Sequence, residues 1–286
     1  AQSRVIEDEL RQLNIPYRIY GGTSFYQRKE IKDAIAYFRL AVNPDDNEAF
    51  ARVINYPLRG IGDTTVMKVR EAGRQAECSM MEVICNPEAT KLDVSAATQK
   101  KLSDFATLIQ GFSQRVATTD AYEFATMLMR DTGVMREAKA DTSQEGIARL
   151  ENLEEMLAGI HEFVDQQLRE GVTFVPMTDF LSEVSLLTDQ DEKQEDNQPR
   201  ITLLTVHAAK GLEFKVTFIV GLEENLFPSQ FCQAPKEIEE ERRICYVAMT
   251  RAKKELHISC AKRRMLYGKT NESQLSRFIN EFTINK

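Results

Sequence analysis

The chain has 286 residues, of which 42% are hydrophobic and 28% are charged, and its formal net charge is −7. This length fits one large soluble domain or two ordinary ones. No apolar stretch approaches the ~18 residues of a membrane helix, so a membrane-spanning protein is excluded, and the acidic balance argues against a protein that simply coats nucleic acid.

The cysteines and the two ends of the chain add three expectations. The five cysteines form no C-x-x-C pair, which predicts a reduced cytoplasmic compartment, no disulfide framework and no metal site. The start, Ala1 to Arg4, has neither an initiator Met nor a signal peptide, which indicates a piece of a longer chain. Residues 251–286 hold nine basic and three acidic residues. Such a face can bind phosphates, although an ordinary solvated surface explains it equally well.

The predicted elements begin with a helix and a short strand. Apolar residues recur at helical spacing up to Leu13, Pro16 stops the helix, and residues 17–20 alternate as a strand. From Arg28 to about Pro199 the pattern is helical almost throughout. The predicted helices of this block lie near residues 31–38, 50–54, 63–77, 95–116, 120–130, 144–169 and 176–187, with Asp63 and Asp120 as N-caps.

A polar break then separates this helical block from a β-rich part. Residues 188–199, TDQDEKQEDNQP, contain five carboxylates and no apolar residue, which predicts an exposed, mobile loop. The elements predicted after it are strands at 201–206, 216–220 and 255–259 and helices at 236–249 and 275–282. Strands that alternate with helices in this way are typical of a parallel α/β sheet.

The domain organisation follows from the size of the opening helix and strand. This pair is too small to bury a core alone, so it most economically joins the C-terminal α/β part. We therefore predict an α/β fold with one discontinuous domain, residues 1–27 and 200–286, and an inserted all-α domain, residues 28–199.

A first group of chemically active residues follows the predicted strand at 201–206. Ligands bind open α/β sheets at the carboxyl ends of strands, which makes this position favourable. In this loop Gly211 permits close backbone approach, Lys210 could meet a phosphate, and Glu213 could accept from ribose hydroxyls. Taken singly, a solvated lysine and a simple glycine turn explain these residues better.

A second group lies at the end of the predicted helix at 236–249. Arg251 stands where the chain turns from this helix towards the next strand. An arginine at such a place can reach across a cleft and neutralise charge on a transferring phosphoryl group. An ordinary charge at a helix C-terminus is the simpler interpretation of Arg251 alone.

The two groups together resemble the UvrD/PcrA/Rep family of superfamily 1 DNA helicases. Residues 203–214, LLTVHAAKGLEF, resemble the family's motif V, and residues 239–252, EEERRICYVAMTRA, resemble motif VI. Residues 19–40 are similar to motif IVa, and residues 222–230, LEENLFPSQ, to the segment after motif V. The resemblance implies a RecA-like motor domain, 2A, interrupted by the helical insertion domain 2B.

The same resemblance implies roles for individual residues. Gly211 and Glu213 would contact ATP, and Arg251 would be the arginine finger that reaches the γ-phosphate. Thr205, His207 and Lys210 would lie between the nucleotide and the single strand of DNA, and would couple ATP binding to the contact with DNA. Ser229 and Gln230 would contact the strand; some members carry a histidine at the position of Ser229.

The resemblance also implies a duplex contact, in an element inside the helical block. Residues 58–65, LRGIGDTT, resemble the family's GIG element. Gly60 and Gly62 leave the turn unobstructed, and the helix that begins near Asp63 offers free N–H groups to a phosphate. The duplex-contacting residues would then be Arg59, Gly60, Gly62 and Thr64, although a G-I-G sequence alone is usually a simple turn between helices.

The phosphate cradle of an ATPase is not recognisable in this sequence. The only G-K-[ST] is Gly268-Lys269-Thr270, and Arg263 occupies the place of the first glycine of a P-loop. By the resemblance, the P-loop, the Walker B carboxylates and the Mg²⁺ ligands belong to the 1A domain of the N-terminal half.

We therefore interpret the sequence as the C-terminal half of an ATP-dependent 3′→5′ DNA helicase, inactive as an ATPase by itself. The implied partners are ATP with Mg²⁺, single-stranded DNA, single-strand/duplex junctions, the 1A/1B half of the same protein, and repair or replication proteins in the cytoplasm. Two alternatives stay open: a DNA-binding module without motor function, and a helical docking module for other proteins.

Overall fold

The structure is a computed structural model that describes residues 3–192, 199–266 and 269–283. The chain divides into two compact units, one of residues 1–6 and 24–196 and the other of residues 7–23 and 197–286. The division falls inside the first helix, α1 (Ser3–Gln12). Residues 1–6 and 24–27, which the sequence placed with the α/β part, therefore group with the helical unit.

The first unit is helical and contains the larger core. Its helices after α1 are α2 (Lys29–Val42), α3 (Asn47–Val53), α4 (Asp63–Ala76), α5 (Met80–Cys85), α6 (Ala96–Ser113), α7 (Ala121–Asp131), α8 (Val134–Ala140), α9 (Gln144–Arg169) and α10 (Met177–Glu192). A single 3₁₀ turn, Phe25–Gln27, precedes α2. Aromatic side chains fill the centre, and Phe50 packs edge-to-face on Phe105 at 5.7 Å between ring centroids. In the described part of the chain, no helix is both long and apolar enough to cross a membrane.

Side-chain caps explain where several of these helices begin. Asp120, predicted as an N-cap, accepts hydrogen bonds from the backbone N–H groups of Tyr122 and Glu123, so that prediction is confirmed. The prediction for Asp63 is wrong, because Gly62 is the N-cap of α4 and Asp63 is its first helical residue. Gly62 has no side chain, and the first turn of α4 therefore lacks a side-chain cap.

The end of α10 corrects the predicted acidic loop. Residues 188–192 continue the helix to Glu192, whereas the sequence predicted a loop from 188 to 199. Glutamate and glutamine have good helix propensity, so a polar composition alone does not stop a helix. Residues 193–198 of the predicted loop lie outside the described residues.

The second unit is mixed α/β. β1 (Tyr17–Tyr20) pairs in parallel with β2 (Ile201–Leu204), and β3 (Phe214–Ile219) pairs in parallel with β4 (Ala252–Ile258). β5 (Arg263–Leu266) and β6 (Lys269–Glu272) form an antiparallel hairpin. The helices of this unit are α11 (Pro235–Met249) and α12 (Arg277–Thr283).

The small core of this unit lies between the β3–β4 pair and helix α11. Ile219 of β3 packs with Cys245 and Ala248 of α11, and Leu222 and Phe278 complete the cluster. The coarse fold prediction is confirmed, since the described chain is mixed α/β with small parallel sheets and many helices. The RecA-like arrangement of 2A and its insertion 2B stay predictions.

Candidate functional site

The loop after β2 begins with a compact turn. The Thr205 hydroxyl accepts a hydrogen bond from Ala208 N at 3.2 Å, and Ala209 N donates to Thr205 O at 3.1 Å. The turn buries Ala209, whereas His207 and Lys210 are exposed. The backbone thus presents the imidazole and the ammonium to solvent, as a ligand-binding loop requires.

Gly21 allows a second loop to approach this turn, which the sequence prediction did not include. Its φ is +71°, and a Cβ there would lie 3.0 Å from the Cβ of Ala208. The loop that follows β1 therefore contacts the loop that follows β2 at a point where a side chain would crowd the contact. Gly-Gly after a short strand was the sequence signal for this approach.

Gly211 bends the chain from this turn into β3. Its φ is +84°, a left-handed conformation that favours glycine, and a Cβ there would meet nothing within 4 Å. The constraint at Gly211 is therefore conformational, and the space beside it is open.

Glu213 and Arg251 come together at the amino ends of two neighbouring strands. Phe214 and Ala252, the first residues of β3 and β4, are partners in the parallel ladder. Phe214 N donates to Arg251 O at 2.9 Å, so the residue after Glu213 is bonded to Arg251 itself. The sequence predicted a site at the carboxyl end of a strand, which holds for Thr205 after β2 but not for Glu213 and Arg251.

The guanidinium of Arg251 is partly buried and joins the end of α11 to the loop before β3. Its Nη1 donates to Leu212 O at 3.0 Å, its Nε donates to Val247 O at 3.0 Å, and its Nη2 donates to Thr250 Oγ1 at 2.9 Å. The side chain therefore joins the last turn of α11 to the residue that precedes Glu213.

Lys253 is a neighbour of Glu213 that sequence reasoning missed. Its Nζ lies 3.0 Å from Glu213 Oε2, and both side chains are about half exposed. Such an exposed ion pair contributes little to stability, but it places a cation beside the exposed carboxylate. The signal was present in the sequence as a lysine two residues after Arg251, at the start of a strand.

Ser229 and Gln230 lie in a separate loop that α12 supports. Ser229 O accepts from Cys232 N at 3.0 Å, and Gln230 N donates to Asn225 O at 3.2 Å, which makes a tight turn with Gln230 exposed. Among the described residues, no hydrogen bond or ion pair joins Ser229 or Gln230 to residues 205–213. The structure therefore orders this loop without linking it directly to the loop at residues 205–213.

The GIG turn lies in the helical unit, between α3 and α4. Asn55 Oδ1 accepts from both Arg59 N and Ile61 N at 3.0 Å, which fixes the turn from one side. Gly60 has a left-handed φ of +66°, and Thr64 is exposed in the first turn of α4. The guanidinium of Arg59 points inward, towards carbonyl groups of the same turn.

No group of three or more histidine, cysteine or carboxylate side chains is placed to hold a metal ion within the described ranges. Lys269 and Thr270, which belong to the only G-K-[ST] of the sequence, open strand β6 of an antiparallel hairpin. A P-loop instead joins a strand to a helix N-terminus, so this part of the chain does not have that arrangement.

One unit is mixed α/β with paired parallel strands, and the other is helical with a GIG turn before a helix that has no side-chain cap. These features fit the C-terminal part of a DNA helicase. The chain belongs to the UvrD-like helicase C-terminal domain family, whose pattern matches residues 1–263. It is 40% identical over 285 residues to the ATP-dependent DNA helicase PcrA of Leuconostoc citreum, a match that covers 99% of this chain and 38% of that protein.

Two further relatives have the same extent of similarity. The ATP-dependent DNA helicase PcrA of Bacillus subtilis is 40% identical over 287 residues, covering 98% of this chain and 38% of the relative. DNA helicase II of Escherichia coli is 39% identical over 283 residues, covering 98% and 39%. The chain thus spans about two fifths of the length of the curated relatives that it matches.

Proposed function

We propose that this chain works as the C-terminal half of an ATP-dependent 3′→5′ DNA helicase or translocase. The observation that carries the proposal is the parallel β3–β4 pairing. It sets Glu213 directly beside Arg251 at the amino ends of the two strands. An exposed carboxylate and an arginine at the same end of the strand pair can bind one nucleotide together, the carboxylate at the ribose and the arginine at the γ-phosphate.

The residues at this end of the strand pair are suited to ATP as a substrate. The carboxylate of Glu213 is 54% exposed and can accept from ribose hydroxyls, and the space beside Gly211 is open. Arg251 uses one donor each from Nε, Nη1 and Nη2 on protein oxygens, which leaves donors for a phosphate oxygen. Mg²⁺ and the phosphate cradle would be held by the N-terminal 1A/1B half of the same protein.

The loop at residues 205–210 would transmit closure around ATP to single-stranded DNA. Arg251 donates to the Leu212 carbonyl, so movement of the guanidinium towards a phosphate would change the support of this loop. Thr205, His207 and Lys210 would then shift their contacts with the strand, while Ser229 and Gln230 would hold it from their own loop. Each cycle of ATP binding and hydrolysis would move these contacts along the single-stranded DNA.

The helical unit would act as the 2B domain, inserted in a RecA-like 2A domain, and would contact duplex DNA ahead of the motor. The contact that the sequence assigns to this unit is the GIG turn, with Arg59, Gly60, Gly62 and Thr64. Backbone N–H groups at the uncapped start of α4 can donate to a phosphate of the duplex. We place the whole protein in the cytoplasm and include repair or replication proteins among its partners.

Arg251 provides the decisive test of the proposed motor function. We would join this chain to the part of the Bacillus subtilis relative that it does not match, and measure ATP hydrolysis stimulated by DNA. Arg251→Ala should lower kcat by about 10³-fold, and Arg251→Lys should not restore it, because an ammonium lacks the planar fork. Arg243→Ala, which removes an exposed charge of α11, is the control and should retain activity.

Two other functions make different predictions. A DNA-binding module without motor function would bind junctions with the same affinity whether or not ATP is present in the joined protein. A protein-docking module would retain its partners after charge reversal at Lys68, an exposed lysine of α4. Equal activity of the Arg251→Ala and Arg243→Ala proteins would refute the proposed finger and favour one of these two alternatives.

A further inference from the structure

The guanidinium of Arg59, the arginine of the GIG turn, is partly buried and forms hydrogen bonds within the protein. Its Nη1 lies 2.9 Å from Tyr56 O and 3.1 Å from both Val53 O and Pro57 O, and its Nη2 donates to the Tyr37 hydroxyl at 2.7 Å. The Arg59 guanidinium carbon also lies 5.2 Å from the centroid of the Phe105 ring. Both terminal nitrogens of this guanidinium are engaged by the protein, so a phosphate would have to compete with these contacts for them.

The position of Arg59 also has an electrostatic reason. Two helix C-termini converge on its guanidinium, because Nη1 lies 3.4 Å from the carbonyl of Ile54, the C-cap of α3, and Nη2 lies 3.5 Å from that of Thr132, the C-cap of α7. A cation there satisfies the last carbonyls and the negative ends of both helix dipoles. Burial raises the pKa of Tyr37 to about 12, so the hydroxyl that accepts from Arg59 stays protonated.

A different cation lies on the outer side of the turn. Lys101, in the second turn of α6, is exposed, and its Nζ donates to Gly60 O at 3.1 Å. A Cβ at Gly60 would lie 2.8 Å from that Nζ, so the absence of a side chain there is what lets the ammonium reach the carbonyl. In the described part of the chain this is the one hydrogen bond of the Lys101 side chain, and an ammonium has three donors.

The electrostatics of the turn require such a cation if DNA binds there. Asp63 places an exposed carboxylate at the first position of α4, where it repels a phosphate that approaches the helix N–H groups. The charge of Arg59 is held against helix C-termini. We infer that Lys101 is the cation that contacts the DNA backbone at the GIG turn, and that Arg59 positions the turn from inside without touching the DNA.

This inference rests on the proposed duplex contact, and the salt dependence of binding tests it. The probe is a fluorescent single-strand/duplex junction, titrated with the full chain over a range of KCl concentrations. Lys101→Gln should weaken binding several-fold and make the slope of log K against log salt shallower by about 1, because one phosphate contact is lost. Lys101→Arg should restore the slope, and Lys100→Gln, which removes the adjacent exposed charge of α6, is the matched control.

Arg59 is tested separately by a variant that keeps its charge. Arg59→Lys should lower the melting temperature and weaken junction binding, because an ammonium cannot span both helix ends, while the salt slope of its remaining binding stays that of the wild type. If an osmolyte that restores the melting temperature of Arg59→Lys also restores its junction binding, the positioning role is supported.

The opposite results overturn the inference. A wild-type slope for Lys101→Gln, or an equal loss in Lys100→Gln, would remove Lys101 as a specific contact. An Arg59→Gln protein with a normal melting temperature and a shallower slope would make Arg59 the phosphate ligand. The proposed duplex contact fails independently if the wild-type chain binds the junction no more tightly than the single strand alone.

Discussion

At the scale of single residues, Gly60 has the strictest backbone requirement of the GIG turn. Its φ of +66° lies in the left-handed region, and its missing side chain leaves room for the Lys101 ammonium. Gly60→Ala should cost about 1–2 kcal/mol of stability through backbone strain, and it should weaken junction binding more than that strain explains, since it also displaces Lys101.

Thermal unfolding and junction titration of the same Gly60→Ala protein measure these two effects. Gly111→Ala is the control, because Gly111 is an exposed residue within α6 and a Cβ there would meet nothing within 4 Å. Alanine in a helix interior should stabilise the control by up to about 1 kcal/mol and leave binding unchanged. Unaltered binding in Gly60→Ala would contradict the arrangement of turn and lysine.

At the scale of elements, the sequence predicted the limits of two elements best, a long periodic helix and a short alternating strand. The limits of α9 (Gln144–Arg169) and β1 (Tyr17–Tyr20) match the prediction residue for residue. The short helices α5 and α8 were missed, because six or seven residues show too little of a helical period. The hairpin of β5 and β6 was missed as well, since its strands are short and polar.

The candidate site shows the same limit of sequence reasoning. Motif residues such as Glu213 and Arg251 were found from their types and order, but their proximity depends on how β3 pairs with β4. No tight turn joins β3 to β4, which α11 separates in the chain, so turn geometry does not fix their register in advance. For that reason Lys253 beside Glu213, and the inward direction of Arg59, emerged only from the structure.

The loop that presents Ser229 and Gln230 depends on a contact between Glu224 and the start of α12. Glu224 Oε1 accepts from Arg277 N at 2.5 Å, and Oε2 accepts from Arg277 Nη2 at 2.8 Å. The hydrogen bonds from Arg277 lower the pKa of Glu224 below its usual 4.5. Glu224→Gln should destabilise the chain by about 1 kcal/mol at pH 7, a modest value because Arg277 is half exposed.

The pH dependence of this destabilisation follows from the lowered pKa. The carboxylate stabilises the folded chain at pH values above about 4.5, and the contribution is lost as the pH falls through the lower pKa of the folded state. The difference in melting temperature between wild type and Glu224→Gln should therefore shrink from pH 7 towards pH 3. Glu240→Gln, at an exposed pair with Arg243, should show no difference at any pH.

At the scale of the whole molecule, the proposed function divides the work of one ATPase between two parts of a longer protein. This chain would contribute a carboxylate and an arginine at the amino ends of a parallel strand pair. Lys269 and Thr270 of its only G-K-[ST] begin strand β6 of an antiparallel pair, which is not the strand–loop–helix that binds a triphosphate. Neither part would then catalyse hydrolysis alone.

We therefore expect the isolated chain to show no DNA-stimulated ATP turnover, while the protein joined to the unmatched part of its relative hydrolyses ATP. Phosphate release at saturating ATP and Mg²⁺, with and without single-stranded DNA, measures both. Arg251→Ala in the joined protein serves as the reference for background hydrolysis. Turnover by the isolated chain comparable to that of the joined protein would contradict the division, because it would require a complete phosphate site within these 286 residues.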